Sequence, residues 1–176
     1  IPGNEIRIFD FLPHEHLKTV NKLKGIVMLH IPRSGRLKDP VNIAQLMQIE
    51  EKYPDLQLIV AHIGRAYAPE DLGNAFEILK NTKNMMFDFS ANTLSEAMEQ
   101  CICAVGPKRI MFGTDMPIAK MRMRRITKDG QYYNIVPKGL YGNVSDDWHM
   151  VETENEQLTN FTYEELRAFM KAAKNT

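Results

Sequence analysis

The feature that most constrains this chain is a rhythm of short apolar runs, each closing on a residue able to do chemistry. Ile26-Val-Met-Leu is followed by His30, Leu58-Ile-Val-Ala by His62, Met85-Met-Phe by Asp88 and then Ser90, and Ile110-Met-Phe-Gly-Thr by Asp115. His30, His62, Asp88 and Asp115 lie 32, 26 and 27 residues apart, which suits successive strand–helix units of about 30 residues. The runs lack polar alternation, so they read as parallel strands covered by helices on both faces. Ile6–Phe9 reads as one more strand. The expected class is therefore α/β, of the (β/α)8 barrel type, with about the fourth to eighth strands present. Five units cannot close a barrel, which leaves an open doubly wound sheet as the alternative.

Helix signals fall between the strands. Asp39 reads as an N-cap with Pro40 at the first helical position, and the pattern runs to about Lys52. Pro69 opens a helix whose Leu72, Phe76 and Leu79 share a face. Thr93 with Glu96 and Thr162 with Glu165 have capping-box spacing, and Gly106-Pro107 stops the first of those helices. A short helix is expected over Glu15–Lys22. The stretch 121–160 breaks the rhythm and reads as a long functional loop or an excursion over the mouth, within one domain spanning 1–176. The chain starts at Ile1 and stops inside a helical pattern, so we expect part of a longer protein.

Composition narrows the function classes. Lys plus Arg and Asp plus Glu each number 22, so global charge gives no reason to expect nucleic acid or an anionic membrane as partner. No apolar run approaches the roughly 20 residues of a membrane helix. Cys101 and Cys103 are two residues apart on an expected helix and read as buried thiols of a reducing compartment, which makes the cytoplasm the default location.

Side chains at equivalent ends of neighbouring parallel strands point into one mouth. Two imidazoles and a carboxylate there fit a divalent metal such as zinc. A single His after an apolar strand is more often a packed residue. Its recurrence in successive units, with an acid two units later, favours a site. Asp88 is equally well read as a turn cap. Arg33 and Arg65 each stand three residues past a strand-end His, where a guanidinium can hold a substrate carboxylate or serve a loop ion pair. Ser90 is a further substrate-binding candidate. The cluster Met121-Arg-Met-Arg-Arg125 can grip an anionic substrate or dock a neighbouring subunit, and Trp148 and His149 can close over the mouth.

Four ordered motifs carry a resemblance: Ile26-Val-Met-Leu-His-Ile-Pro-Arg33, Tyr53-Pro-Asp-Leu-Gln-Leu-Ile-Val-Ala-His-Ile-Gly-Arg65, Met86-Phe-Asp-Phe-Ser90 and Arg109-Ile-Met-Phe-Gly-Thr-Asp-Met-Pro117. Over about residues 24 to 118 the chain resembles strands five to eight of the amidohydrolase superfamily, in its aminocarboxymuconate-semialdehyde decarboxylase-like branch. The resemblance implies His30 as a metal ligand, His62 as a second ligand or proton donor, and Asp115 as a ligand or the base that takes a proton from metal-bound water. It implies a divalent metal, zinc first and manganese second. The implied activity is hydrolysis of a small organic acid, amide or cyclic ester. The alternatives are non-oxidative decarboxylation and a non-catalytic half-barrel module that works through assembly. A small-molecule substrate is implied as partner, together with a homo-oligomer or a missing N-terminal half that covers the sheet edges. One departure matters. The superfamily has a His-x-His pair after its first strand, and the only such pair here, His14-Glu-His16, stands at a helix start where it would not project into the mouth.

Overall fold

The computed structural model describes residues 1–154 and 157–176. Four strands, β1 (Ile26–Leu29), β2 (Gln57–Val60), β3 (Met86–Asp88) and β4 (Ile110–Met111), form a parallel sheet in the order β1-β2-β3-β4. The register pairs Leu29 with Val60, Val60 with Phe87 and Phe87 with Ile110. Sequential order without a switch point is the arrangement of consecutive (β/α)8-barrel units, not of a doubly wound sheet.

The expected strand at Ile6–Phe9 is a helical turn instead, α1 (Ile8–Phe11), followed by α2 (His14–Lys22). Two side-chain acceptors explain the difference. Asp10 Oδ2 takes the Arg7 N–H at 2.7 Å and Gln45 Oε1 takes the Ile8 N–H at 2.9 Å, so these amides are satisfied without a neighbouring strand. Four parallel strands result, not five.

Helix α3 (Pro40–Lys52) begins where the sequence places it: the Asp39 carboxylate accepts from Val41 N–H at 2.9 Å and Asn42 N–H at 3.3 Å. After β2 comes one tight turn, α4 (His62–Arg65). Pro69 opens only a 3-10 turn to Asp71, and Gly73 at φ +50° separates it from α5 (Ala75–Leu79). Leu72, Phe76 and Leu79 nevertheless share the buried face. Helix α6 (Ser95–Val105) is preceded by Leu94 rather than capped by Thr93, and Gly106 at φ +84° ends it. Neither expected capping box forms. The last helix, α7 (Phe161–Ala173), starts after Asn160; Thr162 instead donates to the Ala119 carbonyl and Glu165 accepts from the Ala91 N–H.

The core lies on the helical side of the sheet. Leu29, Leu58, Val60 and Phe87 meet Leu46, Ile49, Leu79, Met98 and Cys101, all buried, each large side chain contributing roughly 1.5–3 kcal/mol through burial. Phe89 stacks on Phe169 of α7, centroids 4.7 Å apart. On the other face Ile26 and Met28 of β1 are 69% and 51% exposed, whereas Ile59 of β2 is buried. The expectation of strands buried on both faces is thus corrected at β1 and met at β2. Cys101 is buried as expected, whereas Cys103, on the opposite side of α6, is exposed.

The segment that breaks the rhythm is not a loop. It folds into β5 (Arg124–Lys128), β6 (Gln131–Pro137) and β7 (Met150–Thr153), with β5 antiparallel and β7 parallel to β6. Asp129 and Gly130, both at positive φ, make the two-residue turn of the β5–β6 hairpin. A second buried cluster, Ala91, Met123, Val136 and Phe161, joins this small sheet to α7 and to the loop after β3. Among the described residues no helix is long and apolar enough to cross a membrane.

Candidate active site

Parallel register brings the strand ends out side by side, so the residues just beyond Leu29 and Val60 emerge as neighbours. The imidazoles of His30 and His62 stand 4.9 Å apart, centroid to centroid, edge to face. Both line a cavity of about 240 Å³ together with Met28, Met111, Phe112 and Asp115. His30, His62 and Asp115 therefore line one cavity.

Asp88 holds this site from below. It is buried, and its Oδ1 accepts from His62 N–H at 3.1 Å, Ser90 N–H at 2.9 Å and Ser90 Oγ–H at 2.5 Å. Its turn-capping reading is the one seen. Ser90 lines the cavity, but its hydroxyl proton goes to Asp88 rather than outward. The Ser90 carbonyl lies 2.8 Å from His62 Nδ1. A carbonyl only accepts, so Nδ1 carries the proton and Nε2 keeps its lone pair. Asn92, fully buried, adds a bond from its amide to the His62 carbonyl at 3.1 Å.

Backbone geometry at these positions is unusual. His62, Ile63, Gly64 and Arg65 all have φ between +49° and +61°, and Asp115 has φ +47°. Left-handed conformations cost non-glycine residues free energy and cluster where structure serves a site. At Gly64 a Cβ would come within 2.6 Å of Leu37 Cδ1.

Fit to a metal is partial. Nε2 of His62, with Nδ1–H bonded to a carbonyl, is in the state that a ligating imidazole adopts, and His30 is its neighbour. Among the described residues, however, no three His, Cys, Asp or Glu side chains are grouped closely enough to hold an ion. The expected three-donor convergence is corrected to a two-imidazole pair with Asp115 on the wall of the same cavity. Asp115 is exposed and itself has a left-handed φ of +47°.

The arginine candidates are used elsewhere. Arg33 Nε pairs with Asp39 at 2.8 Å and its Nη1 reaches the Ile6 carbonyl. Arg65 Nη1 reaches the Ile31 and Pro32 carbonyls at 3.4 and 3.5 Å. Both brace loops, and neither lines the cavity. His14 bonds Tyr53 Oη at 2.7 Å, outside the site, and His16 is exposed. His149 stacks on Tyr132, and Trp148 is 59% exposed; neither lines the cavity.

A second chamber of about 600 Å³ shares Asp115 with the first and is walled by Tyr67, Arg125, Tyr132 and Met150. Burial pushes the Tyr67 hydroxyl up to about 12 and lowers Arg125. Glu165, buried beneath Ala91, is pushed up to about 7 by burial. Sequence reasoning missed Tyr67 and Glu165. Glu165 was read as a cap because its spacing from Thr162 matched one.

The amidohydrolase family model matches residues 6–129. The chain belongs to the amidohydrolase family. No curated protein sequence matches it. Among solved structures, 2,6-dihydroxybenzoate decarboxylase from Rhizobium is 19% identical with a TM-score of 0.40, over 62% of this chain and 46% of that one. A 5-carboxyvanillate decarboxylase from Sphingomonas paucimobilis is 16% identical with a TM-score of 0.40, over 65% and 45%. A dihydroxybenzoic acid decarboxylase from Polaromonas sp. JS666, with bound manganese and 2-nitroresorcinol, is 16% identical with a TM-score of 0.41, over 95% and 54%. The alignments thus span about half of each of these amidohydrolase-like chains.

Proposed function

We propose that this amidohydrolase-family chain carries part of an enzyme active site for a small organic acid, with His30, His62 and Asp115 as its working residues. The observation that carries the reading is the pair of imidazoles 4.9 Å apart on one cavity with Asp115. Decarboxylation is the first reaction class to test. Met28, Met111 and Phe112 line the cavity beside the imidazoles, and an apolar wall raises the free energy of an ionised carboxylate relative to a transition state that disperses its charge. His62 in its protonated form is placed to deliver a proton to the carbon that loses carbon dioxide.

Hydrolysis is the second reading, favoured by the exposure of Asp115 between the two chambers. A carboxylate open to water on both sides is placed to take a proton from an attacking water.

A divalent ion, zinc or manganese, would be held by His30, joined by His62 in the hydrolytic reading where His62 is not the proton donor, and would supply polarisation of a substrate or water oxygen. His62 is oriented for that by the Ser90 carbonyl. We extend the reading to assembly: strand β1, whose Ile26 is 69% exposed, is where another copy or further barrel strands would pack.

The test measures zinc and manganese content, and carbon dioxide release from a panel of small carboxylic acids, in the wild type, His30→Ala and Asp115→Asn. His30→Ala is expected to lose metal and at least about 100-fold in turnover, and Asp115→Asn to keep metal and lose turnover, by the usual scale for proton-transfer groups. Unchanged metal and turnover in both variants would overturn the reading.

A further inference from the structure

We propose that the larger chamber is a monocarboxylate-binding subsite built on Arg125, taking a small planar organic acid by its anionic end. The proposal rests on the hydrolytic form of the reading above: the carboxylate held at Arg125 is the recognition group and not the one that reacts, and the body of the substrate reaches Asp115 on the wall of the His30–His62 cavity.

The argument starts from how Arg125 is bonded. Its Nε donates to Asn134 Oδ1 at 2.9 Å and its Nη1 to the Ala91 carbonyl at 2.5 Å. The guanidinium carbon lies 4.3 Å from the Tyr67 ring centroid and 4.9 Å from those of Tyr132 and Phe161. The fork is therefore fixed in plane and position before any ligand arrives. Among the described residues nothing bonds Nη2, and no carboxylate forms an ion pair with Arg125. Arg36, whose guanidinium carbon is 4.7 Å from the same Tyr132 ring, makes the contrast: it has Asp71 at 2.8 Å. A packed guanidinium without a counter-ion carries an electrostatic cost that an arriving anion removes. Glu165, the acid whose charge acts on Arg125, is pushed up to about 7 by burial and neutralises it only in part near neutral pH.

The chamber has the shape chemistry of the rest of such a ligand. Tyr67 and Tyr132 meet edge to face at 5.0 Å, and Met121 and Met150 complete an apolar wall for a flat body. Asp115 on the shared wall repels a carboxylate, so the anionic end is driven to Arg125 and the body lies toward Asp115. Asp146 and Asp147, both exposed, also line the chamber and disfavour a second negative charge. One carboxylate is accommodated, and two are not.

Calorimetric titration of the whole chain with benzoate, benzamide, benzylamine and phthalate tests this, alongside Arg125→Lys and Asn134→Ala. Benzoate is expected to bind at least about tenfold tighter than any of the other three. Arg125→Lys should erase that margin because an ammonium cannot replace the fork, and Asn134→Ala should reduce it severalfold by freeing Nε. Equal affinity for benzoate and benzamide, tighter binding of benzylamine or phthalate, or an unchanged margin in a folded Arg125→Lys would each overturn the proposal. If Arg125→Lys does not fold, Asn134→Ala and the four wild-type affinities decide. Benzoate affinity is read by heat of binding, whereas the reading above is read by metal content and turnover. The subsite and the reaction centre can thus fail separately.

Discussion

At the scale of single residues, the site is organised by the acceptor capacity of Asp88. One carboxylate oxygen gathers the His62 amide, the Ser90 amide and the Ser90 hydroxyl. With the hydroxyl proton committed there, Ser90 Oγ, 3.1 Å from His62 Nδ1, can only accept from the ring, which reinforces the tautomer set by the Ser90 carbonyl. Asp88→Ala should cost about 2–4 kcal/mol in urea denaturation, because buried donors lose their partner. The freed hydroxyl would then donate to Nδ1, and nitrogen NMR of His62 should show the proton moving toward Nε2. An unchanged tautomer would mean that the Ser90 carbonyl alone fixes the ring. The aspartate was legible in the sequence as a strand-end acid. Its partners were not, because they lie 26 and 2 residues away and only the fold brings the first of them near.

At the scale of elements, the turn α4 places His62, and it does so in a left-handed conformation that Gly64 makes possible. Gly64→Ala combines φ +61° with a Cβ 2.6 Å from Leu37 Cδ1 and 3.3 Å from Ile31 Cδ1. The variant should lose about 2–4 kcal/mol in stability and fold with a displaced His62 ring. A melting temperature within a degree or so of the wild type would contradict this. Element by element, legibility followed how local the cause was. Helix α3 was readable because Asp39 and Pro40 carry their own start signal, and the Asp39 side chain makes the cap. Ile6–Phe9 was misread because Gln45, distant in sequence, supplies its acceptor. The β5–β6–β7 sheet was missed although Asp129-Gly130 is a hairpin signal, since β5 is charged and mostly exposed and the part-buried β6 shows no alternation.

For the whole molecule, Glu165 ties the last helix to the loop after β3. Its Oε1 accepts the Ala91 N–H, while Oε2 has no partner among the described residues. Burial raises its carboxyl from 4.5 to about 7. A carboxyl that holds its proton more tightly folded than unfolded stabilises the fold fully below the unfolded value, and that contribution fades as pH rises from 4.5 through about 7. Wild type should therefore lose on the order of 2–3 kcal/mol relative to Glu165→Gln between about pH 5 and pH 8, read from urea midpoints at each pH. Parallel stability curves for the two proteins would refute the assignment. At this scale the sequence revealed the parallel units. It did not reveal that β1 is open on one face, because apolar strands look alike whether they face helices or remain open.

The position of Asp115 on the wall between the chambers has a thermodynamic result. Filling one compartment alters the field at a carboxylate that the other compartment also feels, so the occupants cannot be indifferent to each other. Whatever factor a monoanion beside Arg125 imposes on the affinity of the imidazole pair for its own ligand, that ligand must impose on the monoanion in return.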